Sequence, residues 1–482
     1  MAAISSLGVG SNLDLNTLLA NLKSAEQAPL VVMQQQQVSY TSKLSAYGQL
    51  NNALSALQTA SAALAAPSLF QGVKATSSAA DVLSASALST ATSGTYTVNV
   101  TQLSQAQSLA AAGQASTTSA IGGGTVTIQF GTLAGGVLDP VSGKYTTPAT
   151  FTADPARTAT PLTIAANSTL AGIRDAINGS ATLGVTASIV NDGGATPNRL
   201  VLTSKQTGEA SSMKISVTGD PALSSLLTSD PAAAPAQQLQ QTAAAQNTKL
   251  TVNGIAVISA TSSVAGAVSD VTMSVTKVGT STLSVQADTA SVQSAVSNFV
   301  GAYNNLQSVA GKLSAYSASS KSGAVLLGDS TLRNIQVGIR STLTSAQTAD
   351  ASGLTMLSQI GVSFQKDGTL AIDSAKLTAA LGSKMSGVAN LFSGGTGGFG
   401  TRMSSLVSGY TDTNGVLTAA TKGINTTLDS LGKQYTATSS RIDATVARYK
   451  AQFTQLDLLV SKMNSTTSYL TQQFDSMNAS KK

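Results

Sequence analysis

The chain has 482 residues, with 27 Lys and Arg against 21 Asp and Glu, a formal net charge of +6, and no Cys, His or Trp. These absences exclude a Ser-His-Asp triad, a cysteine nucleophile, a CxxC redox pair and a zinc site built from histidine or cysteine. Disulfide bonds are excluded as well. The length predicts about three domains. Without disulfide bonds the protein must be stabilised by packing and assembly, and without these catalytic residues we expect that it is not an enzyme.

The charge pattern also argues against two kinds of partner. Charged residues make up 10% of the chain, and no run of Lys or Arg forms the basic stripe that nucleic-acid binding needs. No stretch of about 18 apolar residues could span a bilayer. The N-terminus lacks the charged region of a cleavable signal, its first ionised side chain being Asp14. Because the composition is rich in Ala, Ser, Thr, Gly and Gln, we expect an exported surface protein, neither bound to nucleic acid nor embedded in a membrane.

A heptad pattern runs along the C-terminal end of the chain. Alternating four- and three-residue steps, broken only at Thr467, predict an amphipathic helix of about 50 Å. Between Ile424 and Tyr435 the same spacing occurs out of phase, as a stutter would produce. The apolar positions of this C-terminal seam are Ile442, Val446, Tyr449, Phe453, Leu456, Val460, Met463, Leu470, Phe474 and Met477.

The N-terminal end carries a similar pattern. Its apolar positions form an N-terminal seam of Leu15, Leu18, Leu22, Leu44, Tyr47, Leu54 and Leu57. Ser11 or Asn12 is the expected helix cap, and Pro29 should kink or restart the helix because proline lacks the backbone donor. The two ends either form separate helical domains or pair, with each other or with other subunits. The length of the repeat favours pairing or assembly.

Period-two alternation predicts strands between the helical ends. Asn253-Gly254 and Asp367-Gly368 predict hairpin turns. Residues 162–219 predict a compact α+β module in which Ser168 caps a helix, and residues 220–246, rich in Pro, Ala and Gln, predict a linker that closes it. Helical spacing returns from about residue 290. The alternating stretches are 96–100, 126–130, 250–257 and 271–275.

Three short motifs have both a functional and a structural interpretation. The stretch from Gly328 to Leu332 is similar to the nucleophile block of one esterase family, but without a histidine base we interpret Asp329 and Ser330 as a helix cap. The glycine-rich stretch 394–400 lacks the Lys or Asp of a phosphate or calcium loop and predicts a flexible connection before the last helix. Residues 191–194 predict a turn. No pair of carboxylates for glycoside hydrolysis stands out.

Several segments, in order along the chain, carry a resemblance to one family. They are residues 8–15 (GVGSNLDL), 94–103 (GTYTVNVTQL), 299–304 (FVGAYN), 360–364 (IGVSF), 367–370 (DGTL) and 449–474. They resemble the bacterial flagellar filament cap proteins, which are flagellar hook-associated proteins, although members often carry glycine where Asn12 stands. The module at 162–219 is similar to the flagellin hook IN motif. The likeness covers essentially the full length.

The resemblance implies a function without catalysis or cofactor. Family members are exported unfolded by the flagellar type III apparatus, and they form a ring-shaped plate of five or six subunits at the distal tip of the filament. The expected partners are therefore other copies of the chain, flagellin, the hook-filament junction proteins, and an export chaperone that holds the C-terminal helix. The plate would retain exported flagellin while it folds and joins the filament. Localisation would be secreted, at the tip of the flagellum.

The combined expectation is an α+β multidomain fold, in which the N- and C-terminal helices form a coiled-coil leg and strand-rich head domains are inserted between them. Two other functions stay open: an adhesin that binds host mucin or glycans, and a hook-filament junction subunit. The predicted divisions are 1–40 with 441–482 as mobile terminal helices for export and filament contact, 41–75 with 285–440 as the helical leg domain, 76–108 with 240–284 as a strand-rich head domain, and 109–239 as an outer head domain.

Overall fold

The structure, a computed structural model, describes residues 14–233, 236–348 and 350–479. It consists of two compact units. The described residues before Gln71 and after Asp288 form a mainly helical unit, and Gln71–Asp288 form a strand-rich unit. The predicted fold class is confirmed, because strand-rich domains lie in the sequence between two helical ends. The C-terminal end finishes with a very long helix.

The helices have the following bounds in chain order. They are α1 (Leu15–Ala65), α2 (Pro67–Phe70), α3 (Leu170–Gly179), α4 (Pro221–Leu227), α5 (Thr289–Ser314), α6 (Ser330–Thr344), α7 (Ser374–Ser383), α8 (Met385–Ser393), α9 (Phe399–Thr411) and α10 (Val416–Ala479).

The strands are shorter and lie mostly in the strand-rich unit. They are β1 (Val73–Ser77), β2 (Leu83–Ala87), β3 (Gly94–Gln102), β4 (Ser108–Ala110), β5 (Ala120–Ala134), β6 (Val137–Asp139), β7 (Lys144–Thr147), β8 (Thr150–Ala153), β9 (Thr160–Thr169), β10 (Val185–Asn191), β11 (Asn198–Ser204), β12 (Ser212–Gly219), β13 (Gln240–Ala243), β14 (Thr248–Val252), β15 (Ile255–Ser259), β16 (Ser263–Val268), β17 (Val271–Val275), β18 (Gly279–Ala287), β19 (Tyr316–Ser317), β20 (Ser322–Gly323), β21 (Val362–Phe364) and β22 (Leu370–Ile372).

Helix α1 is continuous, so of the two effects expected of Pro29, a kink or a restart, the restart does not occur. Pro29 lies inside the 51-residue helix and is exposed. Water can therefore hydrate the carbonyl that loses its backbone donor, and packing on either side offsets the local cost of about 3 kcal/mol. The predicted caps Ser11 and Asn12 lie outside the described residues. Within them Asp14 caps the helix, its carboxylate accepting from the Thr17 backbone N–H at 3.0 Å.

The helical unit is built around one core. Helix α1 contacts α5, α9 and α10. The two helices α1 and α9 pack tightly at Gly400, where an added Cβ would lie 2.8 Å from the backbone nitrogen of Ala65. Glycine is therefore required for the two helices to meet. The core includes Leu50, Leu54, Leu57, Leu64, Val296, Phe299, Tyr303, Ile335, Phe392, Phe399, Leu417 and Ile424.

The strand-rich unit contains two cores between antiparallel sheets. One core lies between a five-stranded sheet, ordered β1-β18-β3-β14-β15, and a three-stranded sheet, ordered β16-β17-β2. The other involves the sheets β10-β11-β4-β13 and β12-β5-β8, together with helix α3. The predicted Asn253-Gly254 hairpin joins β14 to β15 and is confirmed, both residues having positive φ angles of 48° and 85°.

The module predicted at 162–219 contains the expected helix and strands, with two corrections nearby. Thr169, not Ser168, caps α3, because its hydroxyl accepts from the Gly172 backbone N–H at 3.1 Å. The stretch predicted as a linker contains α4 and β13. Pro221 occupies the first turn of α4, where its missing N–H costs nothing, and three leucines of this short helix are buried in the neighbouring core.

The motifs with two interpretations have structural roles. Asp329 caps α6 as predicted. Asp367-Gly368 joins β21 to β22 in the predicted hairpin, and residues 191–194 join β10 to β11. The glycine-rich stretch connects α8 to α9, so it lies one helix earlier than predicted. At Gly398 an added Cβ would meet the Phe392 carbonyl oxygen at 2.3 Å, which explains the need for glycine in so tight a turn.

Candidate assembly surface

The C-terminal seam is buried where it begins and exposed at the end of α10, a helix of 64 residues. Leu417, Ile424 and Leu431, upstream of the seam, are buried. The first seam residue, Ile442, is also buried, and Val446, Tyr449, Phe453 and Val460 are half-buried. The other seam residues face solvent, namely Leu456 between Phe453 and Val460 and the positions from Met463 onwards. The exposed fractions are 41% for Leu456, 61% for Met463, 48% for Leu470, 62% for Phe474 and 58% for Met477.

The N-terminal seam is buried at its C-terminal end and partly exposed at its N-terminal end. Tyr47, Leu54 and Leu57 are inside the core of the helical unit, and Leu44 packs against that core. Their apolar surface is covered within one chain and offers little to a second subunit. Towards the N-terminal end of α1, Leu15 is buried, Leu22 is half-buried and Leu18 is exposed. The sequence left open whether the terminal helices pair with each other or with other subunits. Within the chain, α1 and α10 contact each other.

The exposed end of α10 also presents apolar residues that the heptad pattern did not include. Leu458, Leu459 and Tyr469 are more than half exposed. These three residues do not occupy positions of the four-three pattern, so periodicity alone does not identify them. Their apolar side chains within a polar stretch of sequence are the feature that could have identified them. At about 100° per residue Leu459 lies beside the seam, whereas Leu458 and Tyr469 lie on the other side of the helix.

A groove on the outer face of α1 was likewise missed. It has a volume of about 680 Å³ and is lined by Val31, Val38 and a run of glutamines. Val31, Val32 and Val38 are all more than half exposed. The valines do not follow the heptad spacing of the N-terminal seam, which explains why the pattern did not detect them.

An ionic contact ties α1 to the start of α6. The Lys43 ammonium lies 2.9 Å from an Asp329 carboxylate oxygen, and the Tyr47 hydroxyl donates to the same oxygen at 2.8 Å. The other oxygen accepts from the Leu332 backbone N–H at 3.0 Å. Burial raises the pKa of Asp329, but these three donors together outweigh it and leave that pKa below its ordinary value. The hydrogen bond to Asp329 raises the pKa of Lys43.

Two further aspartates stabilise turns through their carboxylates. Asp192 accepts from the Gly194 backbone N–H and from Arg199. Asp367 accepts from the backbone N–H and hydroxyl of Thr369. These hydrogen bonds lower the pKa of both aspartates. Among residues 14–233, 236–348 and 350–479, no cluster of three or more potential metal ligands occurs.

A cavity of about 460 Å³ lies beside Phe130 in the strand-rich unit. The Arg157 guanidinium at its wall stacks over the Phe130 ring at 4.6 Å. Its nitrogens are engaged by the Asp154 carboxylate, the Gln206 and Ser211 side chains and the Ala210 carbonyl. The arginine therefore makes four hydrogen bonds within the protein, and its role here is structural.

Comparison with protein families gives matches along most of the chain. The family described as flagellar hook-associated protein 2 C-terminus matches residues 245–465, and the corresponding N-terminus matches residues 11–107. The flagellin hook IN motif matches residues 150–206, which overlaps the module that the sequence placed at 162–219.

Curated relatives are similar over the whole length. Flagellar hook-associated protein 2 of Escherichia coli (strain K12) is 43% identical, with 100% of each chain covered. The protein of the same name from Salmonella typhimurium (strain LT2) is 39% identical, again with 100% of each chain covered. A-type flagellar hook-associated protein 2 of Pseudomonas aeruginosa is 30% identical, covering 98% of this chain and 97% of the relative.

A solved structure is similar as well. The crystal structure of the D1-D2-D3 domains of the flagellar cap protein FliD from Escherichia coli gives a TM-score of 0.59 at 36% identity, covering 79% of this chain and 99% of that one. Within the part of this chain that the structure describes, none of the helices has the length and apolar character needed to cross a membrane.

Proposed function

This chain belongs to the flagellar hook-associated protein 2 family, and on that premise we propose that it caps the distal tip of the flagellar filament. Copies of the chain form a ring-shaped plate of five or six subunits. The plate retains flagellin as it emerges from the filament and shelters it while it folds and joins the filament end. This is a structural role without covalent catalysis, and it places the protein outside the cell.

The observation that carries the proposal is the exposed end of α10. The helix buries its seam as far as Ile442 and then exposes large apolar residues for its last turns. Burying a leucine or phenylalanine stabilises a complex by about 1.5–3 kcal/mol. The exposed stretch therefore favours association with another helix, as expected of a subunit that functions in an assembly.

We assign separate roles to the two parts of the sequence. The helical leg domain, residues 41–75 with 285–440, supports the ring, and the head domains, 76–108 with 240–284 and 109–239, form the plate. The terminal segments, 1–40 with 441–482, contact the filament and, at the start of growth, the hook-filament junction proteins.

Before export, the C-terminal helix is the expected binding site of a chaperone. The stretch from Val446 to Leu470 changes from half-buried to exposed, so a chaperone that covers it keeps an apolar surface from aggregating inside the cell. Deletion of residues 440–482 should abolish chaperone binding in a pull-down with purified partners. Retained affinity would refute this assignment.

The cap function is tested by flagellin secretion. A strain that lacks the gene should release abundant soluble flagellin and carry no filaments, and the full-length chain should restore filaments. A variant with two charges on the exposed apolar stretch, Leu470→Asp with Phe474→Asp, should fail to restore them. The matched control, Ser465→Asp with Gln472→Asp, places the same charges on the opposite helix face and should succeed. Normal filaments in the deletion strain would reject the function.

A further inference from the structure

The methionines of this chain differ sharply in exposure. The chain has nine of them and, because it has no cysteine, their thioether sulfurs are its groups most easily oxidised by peroxides. Met213, Met273 and Met403 are buried. Met463 and Met477, by contrast, are 61% and 58% exposed. Oxidation follows access to the sulfur, so these two should react first.

Met463 and Met477 also lie on the surface that the proposed function uses. They are two heptads apart on α10, with Leu470 midway between them and Phe474 one turn before Met477. Residues spaced by seven lie on nearly the same side of a helix. The two thioethers therefore flank the apolar side chains that would contact another helix.

We propose that Met463 and Met477 are a peroxide-sensitive pair whose oxidation makes the exposed stretch of α10 polar. In the reaction the sulfur attacks the distal oxygen of hydrogen peroxide or an organic hydroperoxide. An S–O bond forms, the O–O bond breaks, and the sulfur loses two electrons. The hydroperoxide is reduced to water or an alcohol. The product, methionine sulfoxide, is returned to the thioether by methionine sulfoxide reductases.

The sulfoxide changes what α10 can bind. Its oxygen is a strong hydrogen-bond acceptor, and a polar group buried without a donor is unfavourable. Each sulfoxide should therefore weaken the binding of an apolar partner helix by about tenfold or more. The consequence for ring assembly rests on the proposed function, whereas the reactivity of the two sulfurs does not.

The test is peroxide treatment of the folded full-length chain, followed by peptide mass spectrometry and chromatography on a phenyl column. Met463 and Met477 should oxidise at least about tenfold faster than Met213 and Met403. Retention on the phenyl column should fall and be restored by methionine sulfoxide reductases, with the helical circular dichroism unchanged. Equal oxidation rates, or unchanged retention after both sulfurs are oxidised, would overturn the proposal, and so would loss of helix on treatment.

Matched variants separate the pair from other exposed sulfurs. The variant Met463→Leu with Met477→Leu keeps the apolar shape and should retain its phenyl affinity after peroxide. Met356→Leu removes an exposed methionine outside α10 and should respond like the unchanged chain. Loss of retention by the double variant would contradict the proposal. If the untreated chain stays monomeric in sedimentation, the proposed cap assembly is contradicted. The oxidation rates and the phenyl-column retention still test the proposal about Met463 and Met477.

Discussion

The Tyr47 hydroxyl donates a 2.8 Å hydrogen bond to the carboxylate of Asp329, a residue 282 positions later in the chain. The same carboxylate pairs with Lys43 and caps α6. One side chain therefore joins the N-terminal helix to the segment that follows the strand-rich unit in the sequence. The motif around Asp329 is explained by this contact, with no need for catalysis.

Replacing Asp329 should destabilise the helical unit. Asp329→Ala removes the helix cap and leaves the Tyr47 hydroxyl and Lys43 without their acceptor, so we expect a loss of about 1–3 kcal/mol in the free energy of unfolding. Tyr47→Phe removes one hydrogen bond and should cost about 0.5–1.5 kcal/mol. Urea titration followed by circular dichroism at 222 nm measures both. The control Asp443→Asn changes an exposed carboxylate on α10, and a loss in that variant equal to that of Asp329→Ala would contradict the account.

The same carboxylate should give a pH dependence of known sign. Its pKa in the folded chain lies below the ordinary value of 3.8, so near that pH the unfolded state binds more protons. The stabilisation is therefore complete above about pH 5 and is lost as the pH falls through the folded pKa. The difference in unfolding free energy between the unchanged chain and Asp329→Asn should shrink on acidification. A difference that grows towards low pH would contradict the assignment.

Gly400 should be intolerant of a side chain. The added methyl of Gly400→Ala would lie 2.8 Å from the Ala65 backbone nitrogen and 2.9 Å from the Ser61 carbonyl oxygen, and neither backbone atom can move freely. We expect destabilisation of about 1–3 kcal/mol in thermal or urea unfolding. Gly409→Ala is the control on the same helix, where nothing lies within 4 Å, and alanine there should be neutral or stabilising by up to about 1 kcal/mol. Equal effects at both positions would show that α1 and α9 do not approach as described.

Truncation of two leucines of the predicted seams should change the free energy of unfolding by very different amounts. Leu54 is fully buried and Leu456 is 41% exposed. Leu54→Ala should cost about 2–5 kcal/mol of unfolding free energy because it leaves a cavity. Leu456→Ala should change the unfolding of the isolated chain by no more than about 0.5 kcal/mol. A large loss at Leu456 in dilute, monomeric protein would mean that its side chain is covered within the chain.

Much of this fold follows from local pattern. The heptad spacing predicts the long terminal helices, the alternation predicts strands such as β3 and β17, and Asn253-Gly254 predicts a hairpin. These elements are predictable because each one is determined by residues that are neighbours in sequence. The ordered motifs identified the family. Other features depend on distant residues. Burial of the leucines in α4 turned an apparent linker into a helix, and hydration with flanking packing let α1 continue through Pro29.

The candidate surface was predictable only in part for a related reason. Periodicity shows which helix face is apolar, but it cannot show whether that face is already covered. The structure separates the two cases: Tyr47 and Leu57 are covered by the helical core, and Leu470 and Phe474 are not buried. Leu459, beside the seam, adds an exposed apolar side chain that no position of the heptad pattern specifies.

Sedimentation velocity of the purified full-length chain tests the central claim, that the exposed end of α10 drives assembly. With increasing concentration the unchanged chain should form a ring-sized species of five or six subunits. Leu470→Asp with Phe474→Asp should remain monomeric at the same concentrations, whereas Ser465→Asp with Gln472→Asp should assemble as the unchanged chain does. Assembly of the Leu470 and Phe474 variant into the same species, with the same concentration dependence, would contradict the account.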